Sequence, residues 1–189
     1  MKQHRIFRLS LSIILLMGGL GLSLVLAQAG PHQNVETVKI ATSADGTAIN
    51  YYEHGQDGPV LVFVHGWSCD ASYWREQVEY FKEKYHMVLI DLAGHGLSGS
   101  ERENYTMEAF GQDVKAVVES IGAEKVVVIG HSMGALVIAE AARLMPEKVI
   151  GLVAVDDLQN VEYPLGEEQF KGMTTPFKED FKQGVRGFV

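Results

Sequence analysis

The sequence predicts an α/β domain: a mostly parallel sheet with helices on both faces. Two observations carry that reading. Four short, nearly continuous apolar runs, at 59–64, 87–90, 126–129 and 149–155, suit strands buried on both faces. Amphipathic or buried helical patterns fill the intervals between them, as repeated strand–helix units require. The chain has 189 residues, 47% apolar and 21% charged, which is room for one domain with a sizeable core.

The elements follow in order. Lys2, Arg5 and Arg8 precede an apolar stretch over 9–26, and Ala27-Gln28-Ala29 then offers an A-x-A cleavage site. This is the pattern of an export signal over residues 1–29, which places the mature protein in a periplasm or outside the cell. Its removal takes the formal net charge from −8 to −11. The alternative is a membrane anchor over 9–26, long enough to nearly span a bilayer. Serine and glycine at 10, 12, 18, 19, 21 and 23 weaken that alternative. An acidic chain without a basic stripe argues against nucleic acid as a partner. A membrane is a partner only if the N-terminal segment stays uncleaved.

Residues 38–44 and 47–53 are β-prone, and Asp45-Gly46 between them signals a hairpin. Trp74, Val78, Phe81 and Tyr85 share one helical face, and so do Met107, Phe110, Val114, Val117 and Ile121, ended by Gly122. Residues 132–145 are alanine-rich and apolar nearly all round, which predicts a buried helix stopped by Pro146. Residues 30–157 thus form the α/β core. Residues 158–189 hold no strand-like run. There Phe177, Phe181, Val185 and Phe188 make a helical stripe after Pro176, read as the start of a helical cap insertion. With Phe170, two of these suggest an apolar lid, although such a stripe is more often core. Cys69 is the single cysteine, so no intrachain disulfide can form; a small buried apolar role suits it better than a reactive thiol.

The chemistry concentrates at Gly130-His131-Ser132-Met133-Gly134, a G-x-S-x-G pattern with a strand before it and a helix after it. A sharp strand-to-helix turn needs residues without side chains two places either side of the serine, which Gly130 and Gly134 supply. The turn lifts Ser132 above the sheet edge, at a helix N-terminus that favours developing negative charge. His131 sits too close in sequence to share a productive geometry with Ser132 and is read as packing. Two further loops follow strands: His65-Gly66-Trp67-Ser68, and Asp91-Leu92-Ala93-Gly94-His95-Gly96-Leu97-Ser98-Gly99. In the second, Asp91 is read as bonding local amides and His95 as a loop residue.

Taken in order, these three motifs over residues 38–157 resemble the α/β-hydrolase superfamily, in its serine hydrolase branch. The resemblance implies that Ser132 is the nucleophile. It also implies that the backbone N–H groups of Trp67 and Met133 form the oxyanion hole, about 3–4 kcal/mol each. It implies no metal and no cofactor, and a small-molecule ester, amide or similar carbonyl substrate attacked through an acyl-enzyme. Epoxide hydrolase and dehalogenase relatives carry aspartate at that position. The family's order is nucleophile, acid, histidine. Yet the histidines here, at 4, 32, 54, 65, 86, 95 and 131, all precede Ser132. Loss of that histidine costs about 10⁶ in kcat in a subtilisin-type triad. Asp156 and Asp157, after the last strand, are minor candidates for the acid.

The chain is therefore expected to be a C-terminally incomplete part of a longer hydrolase, with the 149–155 strand left as an exposed apolar edge that favours aggregation. The rival readings are a catalytically inactive binding protein on the same fold, and completion of the site by another chain.

Overall fold

The computed structural model describes residues 37–56, 58–156 and 166–188. The expected export segment, His4, His32 and Asp157 lie outside the described residues. Strands β1 (Val38–Thr42) and β2 (Ala48–His54) pair antiparallel as a hairpin. Its turn is built by Asp45-Gly46: Gly46 takes φ 88°, and the Thr47 N–H donates to the Asp45 carboxylate at 3.0 Å. Strands β3 (Val60–Val64), β4 (His86–Ile90), β5 (Val126–His131) and β6 (Val149–Val155) complete one sheet of order β1-β2-β4-β3-β5-β6. Every pairing from β4 to β6 is parallel.

Period-two alternation sends successive side chains to opposite faces. Val62, Val64, Val88, Ile90, Val126 and Val128 pack beneath α2 (Met107–Ser120) and α3 (Met133–Leu144). Phe63, Met87, Leu89 and Ile129 pack on the other face with Trp74 and Val78. Those two residues belong to a 3-10 turn, Ala71–Trp74, and to helix α1 (Arg75–Phe81) that continues it. The helical face expected to reach Tyr85 ends at Phe81, because β4 begins five residues later, at His86. Thr106 starts α2 by accepting from the Ala109 N–H at 3.1 Å, and Gly122 closes it at φ 69°.

At the C-terminal end the expected stripe is corrected. Pro176 lies inside helix α4 (Glu167–Glu179) rather than ahead of a helix. The break comes at Asp180, which is extended and accepts from the Gln183 N–H at 3.0 Å, so it caps α5 (Phe181–Phe188). Phe170 and Phe181 are exposed, while Phe177 and Val185 are half-buried. Strand β6 is the sheet edge, with Ile150 61% and Leu152 51% exposed. No helix among the described residues is long and apolar enough to cross a membrane.

A buried polar knot ties the hairpin to α2. Arg102 Nε donates to Asp45 at 2.7 Å and Nη1 to Asp113 at 3.0 Å, while Nη2 donates to the second Asp113 oxygen. The Ser43 hydroxyl donates to Asp113 at 2.5 Å. The hydrogen bond from Arg102 holds the Asp45 carboxyl well below its ordinary value of 3.8. A carboxyl depressed on folding stabilises the protein above that ordinary value and loses the contribution as pH falls below it. Thermal melts followed by circular dichroism between about pH 5 and pH 3 should therefore show a steeper loss of Tm in the parent than in Asp45→Asn. Parallel acid limbs would remove Asp45 from the account.

Candidate functional site

The C-terminal ends of β3, β4, β5 and β6 carry the loops that meet at Ser132. Ser132 occupies φ 51° and ψ −117°, between the end of β5 and the first residue of α3. A β-carbon on Gly130 would overlap the Gly134 carbonyl oxygen. One on Gly134 would lie 2.5 Å from Val64 O and 2.7 Å from His65 O. Both glycines are thus demanded by backbone contacts, as the motif anticipated. The Ser132 N–H donates to Val155 O at 2.9 Å, which ties the elbow to the end of β6.

The loop after β3 lies against the elbow. A β-carbon on Gly66 would stand 3.2 Å from Ser132 Cβ and 2.9 Å from His131 Nδ1, so backbone alone fits there. His65 organises this loop from beneath and is fully buried. The Leu92 N–H donates to His65 Nε2 at 3.1 Å, which assigns the ring proton to Nδ1; that group donates to Gly66 O at 2.7 Å. Burial lowers the His65 pKa, which keeps the ring neutral for this dual role. No peptide in the described chain is cis, so fixing the Gly66 carbonyl turns the Trp67 N–H to the opposite side of that peptide. Met133, as the first residue of α3, has no intrahelical acceptor for its N–H. The two groups expected to form an oxyanion hole thus stand on loops that touch.

Asp91 is buried and bonds more widely than a local turn former. It accepts from the Ala71 N–H at 2.8 Å and the Leu97 N–H at 2.9 Å, joining the loops after β3 and β4. His95 Nδ1 lies 3.0 Å from Ala93 O, within its own loop. His131 stacks on Tyr73 at 4.7 Å, with Nε2 3.5 Å from the Tyr73 hydroxyl, in keeping with a packing role. Asp156 approaches His131 Nε2 at 4.0 Å, takes φ 52°, and is largely exposed. Cys69 is half-buried rather than buried. Burial and the neighbouring Asp70 charge push its thiol pKa up, which disfavours the reactive thiolate.

A cleft of about 690 Å³ opens beside the elbow. Its lining includes Trp67, Met133, His95, Tyr105, Phe110 and Phe181. The Trp67 ring makes edge contacts with Phe177 at 5.0 Å and Phe181 at 6.2 Å, so α4 and α5 do place aromatic groups over this loop. A larger concavity of about 790 Å³ lies over Asp45, Arg102 and Gln112, on the polar knot and away from Ser132. Sequence reasoning missed the roles of His65 and Tyr73, and it missed the Arg102 knot. No group of histidine, cysteine and acidic side chains among the described residues is arranged to hold a metal ion.

Comparison with known proteins gives this geometry its context. A family model described as alpha/beta hydrolase fold matches residues 59–188. An epoxide hydrolase 1 of Caenorhabditis elegans is 33% identical over 108 residues, 56% of this chain and 27% of the relative. A bifunctional esterase/perhydrolase of Acinetobacter calcoaceticus is 39% identical over 95 residues, 49% of this chain and 34% of the relative. The chain therefore spans about a third of the length of these curated relatives. The solved structure of the esterase RhEst1 from Rhodococcus sp. ECU1013 superposes with a TM-score of 0.60 at 33% identity, covering 64% of this chain and 46% of that one. With the family model covering well over half of its residues, the chain belongs to the alpha/beta hydrolase fold family.

Proposed function

We propose that Ser132 is the nucleophile of a hydrolase that opens an ester, amide or similar carbonyl bond of a small molecule through an acyl-enzyme. The single observation that carries this reading is the backbone of Ser132. A non-glycine residue at φ 51° and ψ −117°, wedged between two glycines that backbone contacts demand, is strained. Such strain persists where the surrounding structure over-determines it and clusters at active sites. Ser132 Oγ would attack the carbonyl carbon as its proton passes to a base. The Trp67 and Met133 N–H groups would hold the oxyanion, and collapse would expel the alcohol or amine. Water would then release the acid. Serine in place of the aspartate of the family's epoxide hydrolases supports an acyl rather than an alkyl intermediate. The signal-like pattern over residues 1–29 supports a mature protein outside the cytoplasm.

A second reading, a binding protein without turnover, is favoured by the histidines near Ser132. His65 is held by Gly66 and Leu92, His95 lies on Ala93 O, and His131 stacks on Tyr73. One experiment separates the two. Extracts of the organism that makes the protein are treated with a fluorophosphonate probe and digested with trypsin. The hydrolase reading expects the peptide spanning residues 126–143 to carry the probe on Ser132, and labelling to vanish in Ser132→Ala. An unlabelled peptide recovered in good yield overturns it.

A further inference from the structure

We infer that the cleft beside Ser132 selects uncharged, apolar substrates and rejects carboxylate-bearing ones. This rests on the hydrolase reading above and adds the substrate's chemical class. Trp67, Tyr105, Met107, Phe110, Met133 and Phe181 give the cleft its apolar wall, and Ser68, Asp70, His95 and Ser100 supply its polar side chains. Among the described lining residues none is lysine or arginine, and the charged one is Asp70.

The Asp70 carboxylate is fixed. It accepts from the Ser72 N–H at 2.9 Å, which caps the 3-10 turn. Asp70 is itself one of the residues that line the cleft. The guanidinium of Arg102 stands behind the Tyr105 and Phe110 rings, 5.9 and 5.8 Å from their centroids. It is already matched there by Asp45 and Asp113. A substrate carboxylate in this cleft loses water, finds no lysine or arginine among the described lining residues, and meets the like charge of Asp70. An aryl or alkyl group loses only unfavourable hydration.

Binding to the Ser132→Ala chain tests this without turnover. Phenyl acetate, 4-carboxyphenyl acetate and 4-(trimethylammonio)phenyl acetate carry hydrogen, an anion and a cation at the same ring position. Calorimetric titration should find phenyl acetate bound at least tenfold more tightly than the carboxylate. Asp70→Asn keeps an oxygen to cap the turn and removes the charge, so in it the gap should narrow severalfold. A merely structural Asp70 would leave the ratio unchanged. Equal or tighter binding of the carboxylate, or no saturable binding of phenyl acetate, overturns the inference. Tenfold tighter binding of the ammonium ester overturns it too, in favour of a cation site built on Asp70. Failure of the hydrolase reading shows separately, as an unlabelled Ser132 in the unmodified protein.

Discussion

Gly134→Ala is expected to cut the rate of fluorophosphonate labelling at Ser132 by about 10²–10³, the loss associated with misplacing one oxyanion donor. The added methyl carbon would stand 2.5 Å from Val64 O and 2.7 Å from His65 O, and both are backbone atoms at the end of a central strand. Neither has a rotamer to escape into. Relief comes only from sliding the start of α3 off β3, which draws Met133 away from Trp67. Overpacking of this kind also costs about 1–3 kcal/mol of stability. The labelling rate and a urea denaturation curve on the same variant separate the two effects. Labelling within a factor of three of the parent would show that the elbow tolerates the displacement.

Arg102→Ala is expected to lower stability by about 3–5 kcal/mol, the cost of stranding a buried charge. The Arg102 and Asp113 side chains are 2% and 0% exposed, so Asp113 would be left with the Ser43 hydroxyl and the Ala93 N–H as its partners. Removing the charge as well, in Arg102→Met with Asp113→Asn, should cost less than the sum of the single changes, because the two side chains act as a unit. Urea denaturation of the parent, Arg102→Met, Asp113→Asn and the double variant closes the cycle. A single-variant loss under 1 kcal/mol would mean that water or a neighbouring cation replaces the guanidinium at once.

The parallel strands were legible because each carries a nearly unbroken apolar run, mostly buried in β3, β4 and β5 and exposed at the sheet edge in β6, whose residues match 149–155. The elbow was legible because its glycines answer to backbone contacts that any such turn imposes. What escaped was set by partners distant in sequence. Arg102 stands between Glu101 and Glu103 with no local sequence mark of burial, yet it is buried against Asp45 and Asp113, which lie 57 and 11 residues away. His65 looked like the first letter of a turn motif; its function depends on Leu92 27 residues on. The break at Asp180 escaped for a different reason. A proline in a helical pattern signals a boundary at its own position, whereas here Thr174 and Thr175 hydroxyls bond the preceding carbonyls and α4 runs on through Pro176.

The positive φ at Ser132 sets two kinds of selection against each other. Holding a serine in that conformation costs about 1–3 kcal/mol, and glycine would adopt it freely. The fold therefore carries strain at the one side chain on which its proposed chemistry depends. Lineages or laboratory libraries screened for heat tolerance alone would drift toward glycine at 132 and grow sturdier as they fell silent. Only a screen that demands turnover keeps the serine in place.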